Sequence, residues 1–154
     1  MKNIKFKKAF TMIELVFVIV VIGILAGVAI PRLAATRDDA EITKAMTTLN
    51  SVRNALSIER QKRILRGEFS PITAIGSDGI VFGHFFDKNG DTGVTVLEYP
   101  EPSSSDKYHW KRVDDNITHF CLTNSCETHI DFELSDGRFI CKLGACSMLG
   151  VTAE

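Results

Sequence analysis

The 154-residue sequence lacks the motifs that most enzyme classes carry. It has no glycine-rich phosphate loop, no Ser/His/Asp arrangement and no clear pair of carboxylates in an apolar setting. Its four cysteines show no Cys-x-x-Cys spacing, which disfavours a dithiol oxidoreductase and the usual kind of zinc site. We therefore expect no enzymatic activity and no cofactor, apart from the calcium ion considered below.

Concentrated positive charge is missing as well. The chain carries 18 Lys and Arg residues against 19 Asp and Glu residues, for a formal net charge of −1. The basic residues around the only tryptophan, Trp110, are offset by neighbouring aspartates. Nucleic-acid-binding proteins carry a basic patch or stripe, so we expect no direct nucleic-acid binding.

An ordinary secretory signal is the third absence. Residues 10–30 form an apolar run of 21 residues, which is longer than the apolar core of such a signal and about right for a bilayer-spanning helix. Only Ala26-Gly27-Val28-Ala29 distantly resembles a signal-peptidase site. Residues 1–9 contain four lysines and no acid. This charge predicts a cytoplasmic N-terminus and a periplasmic head, in a compartment where disulfides persist.

Glu14 is the one charged residue in the apolar run. A charged side chain at the centre of a membrane helix costs roughly 2.5–3.5 kcal/mol, and less towards the ends, so Glu14 is a candidate functional residue. The alternative is that Glu14 lies in the headgroup region, where the dipole of the helix N-terminus stabilises its charge.

The N-terminal motif combines a basic leader, the small residue Ala9, the segment Phe10-Thr11-Met12-Ile13-Glu14-Leu15 and an apolar helix. It resembles the class III signal of type IV prepilins and type II secretion pseudopilins, with the resemblance reaching to about residue 66. The resemblance implies cleavage by a prepilin peptidase between Ala9 and Phe10, and N-methylation of Phe10. It also implies that Glu14 pairs with the terminal amine of a neighbouring subunit. At Ala9 the chain departs from the family, which usually has glycine there.

Residues that weaken a helix lie in and just after the apolar run. Gly23 and Gly27 are four residues apart, and Pro31 follows four residues later. By themselves the glycines indicate a small-residue packing face, and the proline predicts a kink. The resemblance implies that the part of the helix from Gly23 to Pro31 can unwind inside a filament.

A second, amphipathic half of the helix is predicted over residues 31–66. Its apolar residues recur at steps of three and four, which places them on one face of a helix. Gly67 follows as a natural C-cap, and basic residues fill the last turns. The apolar stripe consists of Ile42, Ala45, Leu49, Val52 and Leu56.

The remaining residues, 67–154, predict a head of loops and short strands. Glycines recur throughout residues 67–100, where the resemblance implies a variable connection between helix and sheet. Strict alternation over 128–134, an Asp136-Gly137 turn and a returning run over 139–143 predict a β-hairpin. We therefore predict an α+β fold of the type IV pilin kind. In it, a long N-terminal helix, first transmembrane and then amphipathic, packs on a small C-terminal antiparallel sheet.

The four cysteines permit three pairings. Local pairing would join Cys121 to Cys126 and Cys141 to Cys146, and would clamp two short turns. Cross-strand pairing would join Cys121 to Cys141 and Cys126 to Cys146, and would staple strands together. The resemblance supports structural disulfides near the C-terminus without choosing between these two arrangements.

Residues 87–98 resemble a calcium-binding loop, although Thr92 occupies the sixth place, where a glycine is expected. The alternative is a polar turn between strands. His119 and His129 fall in predicted strands and are interpreted as half-exposed sheet residues. The oxygen ligands of the calcium loop would be Asp87, Asn89, Asp91 and Glu98.

The expected function is that of a pilin-like structural subunit that polymerises into a type II secretion pseudopilus or a type IV pilus. Its expected partners are other subunits, the prepilin peptidase, the inner-membrane assembly platform and the membrane itself. Its expected location is a single pass through the inner membrane, followed by a periplasmic or surface filament. The alternative is a signal-anchored periplasmic binding domain that does not polymerise.

Overall fold

The structure, a computed structural model, describes residues 10–77 and 79–154. One compact unit ends at Ala40, and a second unit spans Glu41–Glu154. Among these described residues, one long α-helix, α1 (Met12–Leu65), comes first, and eight strands and two short 3-10 helices follow. The predicted leader, residues 1–9 with the cleavage-site residue Ala9, lies outside the described residues.

The first part of α1 is apolar and uncovered. Met12–Ile30 is long and apolar enough to cross a membrane, and none of it is buried within the chain. The helix continues through Gly23, Gly27 and Pro31 without a break. Apolar helices tolerate such residues better than soluble ones do. The unwinding of this part inside a filament stays a prediction.

The last part of α1 belongs to the second unit and buries the predicted stripe. Ala45, Leu49, Val52 and Leu56 are at most 3% exposed, while Ile42 is partly buried. The helix ends at Leu65, one residue before the predicted end. Gly67 follows with a positive φ of 78°, and the amides of Gly67 and Glu68 donate to the carbonyls of Ile64 and Arg63. This is a Schellman C-cap, as the glycine predicts.

In the described part of the second unit, the strands form two antiparallel sheets of four strands each. In the first sheet, the strand Ile80–Asp87 pairs with each of the three other strands. In the second sheet, the strands are ordered as they are in the chain. The first sheet comprises β1 (Ala74–Ser77), β2 (Ile80–Asp87), β3 (Gly90–Thr95) and β4 (Glu101–Pro102). The second sheet comprises β5 (Trp110–Arg112), β6 (Ile117–Cys121), β7 (His129–Ser135) and β8 (Arg138–Leu143).

The α+β prediction is confirmed, but the single small sheet is corrected to two. Residues 67–100, predicted to be a variable connection with short strands, supply most of the first sheet. Register shifts between Ile75 and Gly76, and between His84 and Phe86, interrupt its strands. A bulge breaks the alternation of side chains from which a strand is predicted. The second sheet has the predicted hairpin, with positive φ at Asp136 (50°) and Gly137 (71°).

An aromatic cluster joins the two sheets in one core. The ring of Trp110 lies 5.2 Å from that of Phe82, 5.0 Å from that of Phe120 and 5.3 Å from that of Phe132. Phe82 comes from the first sheet and the other three residues from the second. The helix stripe belongs to the same buried cluster, so the second unit is held by apolar packing of both sheets and the helix.

Candidate functional site: the N-terminal apolar helix

Thr11 and Glu14 close the N-terminus of α1. The Thr11 backbone N–H and hydroxyl donate to Oε2 of Glu14, at 2.9 and 2.8 Å. The Glu14 backbone N–H in turn donates to Oγ1 of Thr11 at 3.3 Å. This reciprocal arrangement is a capping box. Within one chain, Glu14 therefore caps the N-terminus of its own helix, which was the alternative interpretation of this residue. Its predicted pairing with the terminal amine of a neighbouring subunit would require a second chain.

Large apolar side chains along the helix after Glu14 are exposed. Soluble monomers seldom expose such large apolar patches, and patches of this kind mark membrane or protein contacts. Phe10, the predicted first residue after cleavage, is 85% exposed. The large exposed side chains of this surface include Ile13, Val16, Phe17, Ile19, Val20, Ile24, Leu25, Val28, Ile30 and Leu33.

Gly23 and Gly27 face open space in the described part of the chain. A Cβ atom built at either glycine would meet no described atom within 4 Å. A larger side chain at either position would thus fit without a clash with the described residues. A requirement for small residues at these positions would have to come from a second molecule.

Comparison with known proteins identifies this end of the chain. The family described as "Prokaryotic N-terminal methylation motif" matches residues 4–30. Residues 4–30 thus match a prokaryotic N-terminal methylation motif, as the resemblance to prepilins predicts. The motif includes Ala9 and Phe10, between which cleavage is predicted, as well as Glu14 and Gly23.

Three relatives extend the similarity beyond the methylation motif. The type II secretion system core protein G of Vibrio cholerae is 31% identical over 81 residues, covering 53% of each chain. The type IV narrow pilus major component PilA5 of Thermus thermophilus is 45% identical over 51 residues, covering 33% of this chain and 44% of the relative. The fimbrial protein of Moraxella nonliquefaciens is 28% identical over 109 residues, covering 58% of this chain and 70% of the relative.

These relatives confirm the resemblance to type IV pilins and type II secretion pseudopilins. Their names are those of secretion and pilus components rather than enzymes. The chain spans about half the length of the type II secretion relatives that it matches. No solved structure matches it.

The disulfides have the local arrangement. Cys121 is bonded to Cys126 and Cys141 to Cys146, with Cα atoms 4.7 and 6.1 Å apart. All four cysteines are buried. The cross-strand alternative fails because Cys121 lies in β6 and Cys141 in β8, with β7 between them. Two strand spacings amount to about 9.5 Å, which is beyond the usual Cα separation of a disulfide.

The predicted calcium loop is a β-hairpin. Residues 87–98 contain the end of β2, a two-residue turn and β3. Oδ1 of Asp87 accepts the Asn89 N–H, and its Oδ2 lies 3.4 Å from Arg63 Nη1. Oδ1 of Asp91 accepts the Gly93 N–H, and its Oδ2 lies 2.9 Å from His84 Nδ1; these two contacts lower the pKa of Asp91.

Asp87 and Asp91 therefore bind groups of the chain itself. Among the described residues, Asp87, Asp91 and Glu98 do not form a cluster of convergent ligand atoms. The backbone is the polar turn that was the alternative to a calcium loop. Calcium binding itself stays a prediction, which this geometry does not favour.

Sequence reasoning missed a buried ion cluster at the end of α1. Glu59 and Arg63 are only 4% and 3% exposed, and Arg63 Nε donates to Glu59 Oε1 at 3.0 Å. Arg63 also pairs with Asp87, and Arg66 Nη2 lies 3.5 Å from Glu59 Oε1. The signal was present in the sequence, because positions 59 and 63 continue the spacing of the apolar stripe. A charged residue on a buried stripe predicts a partner one turn away.

A second missed cluster lies on the outer face of the second sheet. The rings of His119 and His129 are parallel, with their centroids 3.9 Å apart. Nε2 of each ring lies 3.1 Å from Oδ1 of Asp131. Burial, together with the charges of His129 and Lys111, lowers the pKa of His119, although Asp131 opposes the shift. At neutral pH the His119 imidazole is therefore neutral.

Proposed function

We propose that the chain is a pilin-like structural subunit, made as a prepilin and polymerised through its N-terminal helix. One observation carries this proposal. A prepilin-type methylation motif opens a helix whose residues Met12–Ile30 are apolar and wholly uncovered in the single chain. Such a surface needs lipid before assembly and other subunits after it.

The driving force for assembly would be burial of this apolar surface in a filament core. Apolar burial contributes roughly 25 cal/mol per Å². In such a core the carboxylate of Glu14 would lose its water, and an unpaired buried charge costs several kcal/mol. The methylated amine of Phe10 in a neighbouring subunit would supply the partner. Glu14 would thus set the axial register, and the capping box with Thr11 would hold its carboxylate until the amine arrives.

The proposal also covers the orientation of the chain in the membrane and the proteins that process and assemble it. The four lysines of residues 1–9 favour a cytoplasmic N-terminus, so the head would face the periplasm. Two buried disulfides suit an oxidising compartment. A prepilin peptidase would remove residues 1–9, and an inner-membrane platform would extract the subunit from the membrane. The relatives include both secretion and pilus components, so the proposal covers a pseudopilus and a pilus alike.

Processing is the step to test first. The chain is expressed with and without its prepilin peptidase, and the membrane-bound product is characterised by intact mass and N-terminal sequencing. We expect loss of residues 1–9 and a methylated Phe10 only when the peptidase is present. An Ala9→Gly variant is the matched control, because it restores the residue that prepilins usually have before the cut.

Two outcomes would contradict the proposal in different ways. An intact Met1 in the Ala9→Gly variant with the peptidase present would favour the signal-anchored periplasmic binding domain. Cleavage of that variant alone would show that Ala9 blocks processing, and the native chain would then not enter filaments by this route.

A further inference from the structure

Three polar side chains converge on the outer face of the second sheet. His119 on β6 is directly opposite Asp131 on β7, and Cys121 is opposite His129. The alternating residues Phe120, Ile130 and Phe132 are buried in the core. His119, His129 and Asp131 therefore share the other face of the sheet. Their side chains are only 18%, 28% and 24% exposed, so this is a partly buried cluster.

Two distances in the cluster match those between neighbouring ligands of a metal ion. Nε2 of His119 and Nε2 of His129 each lie 3.1 Å from Oδ1 of Asp131. Nitrogen and oxygen ligands at about 2.0–2.2 Å from a zinc ion are roughly 3.0–3.5 Å from one another. Ring nitrogens of the two histidines also lie within 4.8 Å of one another, so both rings and the carboxylate are within reach of one ion.

The oxygen that both histidines approach has no hydrogen-bond donor among the described residues. Within the described part of the chain, Oδ1 of Asp131 is buried and has no hydrogen-bond partner, although both ring nitrogens are close to it. Buried carboxylate oxygens in proteins almost always have a donor or a cation.

The hydrogen bond made by His129 also supports a metal site. Nδ1 of His129 lies 2.9 Å from the carbonyl oxygen of Cys126, so it is the nitrogen that carries a proton. A neutral ring then keeps its lone pair on Nε2, which faces Asp131. A backbone carbonyl that fixes the tautomer in this way is the usual outer partner of a metal-bound histidine.

We propose that His119, His129 and Asp131 form a binding site for a divalent transition-metal ion, with Zn²⁺ as the reference ion. Two imidazoles and one carboxylate suit zinc and its neighbours rather than calcium. Three protein ligands leave at least one position for water or for a group from another molecule. The Cys126 sulfur, which lies within 4.8 Å of ligand atoms of both histidines, is bonded to Cys121 and is not a ligand.

The test uses the full-length chain in detergent, purified through a tag without histidine and stripped of metal with a chelator. Zn²⁺ binding is measured by isothermal titration calorimetry, and Co²⁺ serves as a spectroscopic probe through its d–d absorption bands. We expect stoichiometric binding that His119→Gln, His129→Gln and Asp131→Asn each weaken by at least about 10–100-fold, the cost seen even for partners outside the metal's own ligands.

The chain offers a matched control for these variants. His84 and Asp91 form another histidine–carboxylate pair, with Nδ1 and Oδ2 2.9 Å apart, but without a second histidine. His84→Gln should leave the affinity for Zn²⁺ unchanged. Equal loss in His84→Gln, or unchanged binding in His119→Gln and His129→Gln, would overturn the proposal.

A measurement on the unmutated chain decides the question even where a variant misfolds. Imidazole ¹⁵N shifts of the four histidines are recorded before and after Zn²⁺ is added. We expect large shifts of Nε2 in His119 and His129, with His84 and His109 unaffected. Absence of these shifts at saturating Zn²⁺ would show that Asp131 and the two rings are held by a proton instead of a metal.

Discussion

The two halves of α1 differ in whether the rest of the chain covers their apolar side chains. Met12–Ile30 is uniformly apolar and stays wholly uncovered. The later half, from Glu41 to Leu65, has an amphipathic stripe whose central residues are at most 3% exposed because the two sheets cover them. Both halves obey the same hydrophobic effect. The apolar stripe of the second half therefore packs against other parts of the same chain. The apolar surface of the first half needs lipid or another molecule to cover it.

The largest expected effect is on filament assembly and concerns Glu14, in the uncovered half of α1. Glu14→Ala should give a processed, membrane-held protein that fails to enter filaments, because no carboxylate remains to pair with a neighbour's amine. Filament incorporation is measured by shearing or by crosslinking in cells that carry the assembly machinery.

Thr11→Ala separates the two roles of Glu14. It removes the 2.8 Å hydroxyl contact to Oε2 but keeps the carboxylate. Loss of a cap typically costs only about 0.5–2 kcal/mol, so this variant should still assemble. Equal assembly defects in both variants would reduce Glu14 to a helix cap.

The next effect lies in the half that the sheets cover. Arg63→Ala should lower the free energy of unfolding of the head by roughly 3–5 kcal/mol, because it leaves Glu59 buried without its closest partner. Replacing the pair together, as Glu59→Leu with Arg63→Met, should recover most of the loss. Chemical unfolding of the full chain in detergent, followed by the fluorescence of buried Trp110, measures both. Arg60→Ala, at an exposed position three residues earlier, should change stability by under about 0.5 kcal/mol.

A pair of matched leucine truncations compares the two halves directly. Leu49 is completely buried, and Leu49→Ala should destabilise the head by about 2–5 kcal/mol. Leu25 is 65% exposed, and Leu25→Ala should leave the same Trp110 unfolding curve within about 0.5 kcal/mol. Equal destabilisation of the two variants in these unfolding curves would contradict the contrast between the covered and the uncovered half of α1.

The smallest effect is a pH dependence from the outer face of the second sheet. Burial, the largest cause, lowers the pKa of His119 in the folded chain, with His129 and Lys111 adding to the shift and Asp131 opposing it. The unfolded chain therefore binds a proton first as the pH falls below about 6.5. Stability should be undiminished above that pH and decline below it. Thermal melts with a metal chelator present should show a shallower decline in His119→Asn, and an unchanged slope would assign the pH dependence elsewhere.

Much of the helix could be predicted from the sequence because its patterns are local. The apolar run, the Thr11–Glu14 spacing, the stripe of Ala45, Leu49, Val52 and Leu56, and the cap at Gly67 each follow from residues within a few turns of one another. The Asp136-Gly137 hairpin is local in the same sense. The sheet of residues 74–102 was harder to predict, because its bulges disrupt the alternation from which strands are predicted.

The sequence alone thus determined the methylation motif, the apolar span that needs an outside partner, and the helix and hairpin whose signals are local. Only the tertiary structure decided how the cysteines pair, because strand order sets which of them can meet. It also brought Glu59 and Arg63 to Asp87, and His119 to His129 and Asp131. These contacts depend on strand register and on how the strands pack, which are properties of the whole chain rather than of any short stretch.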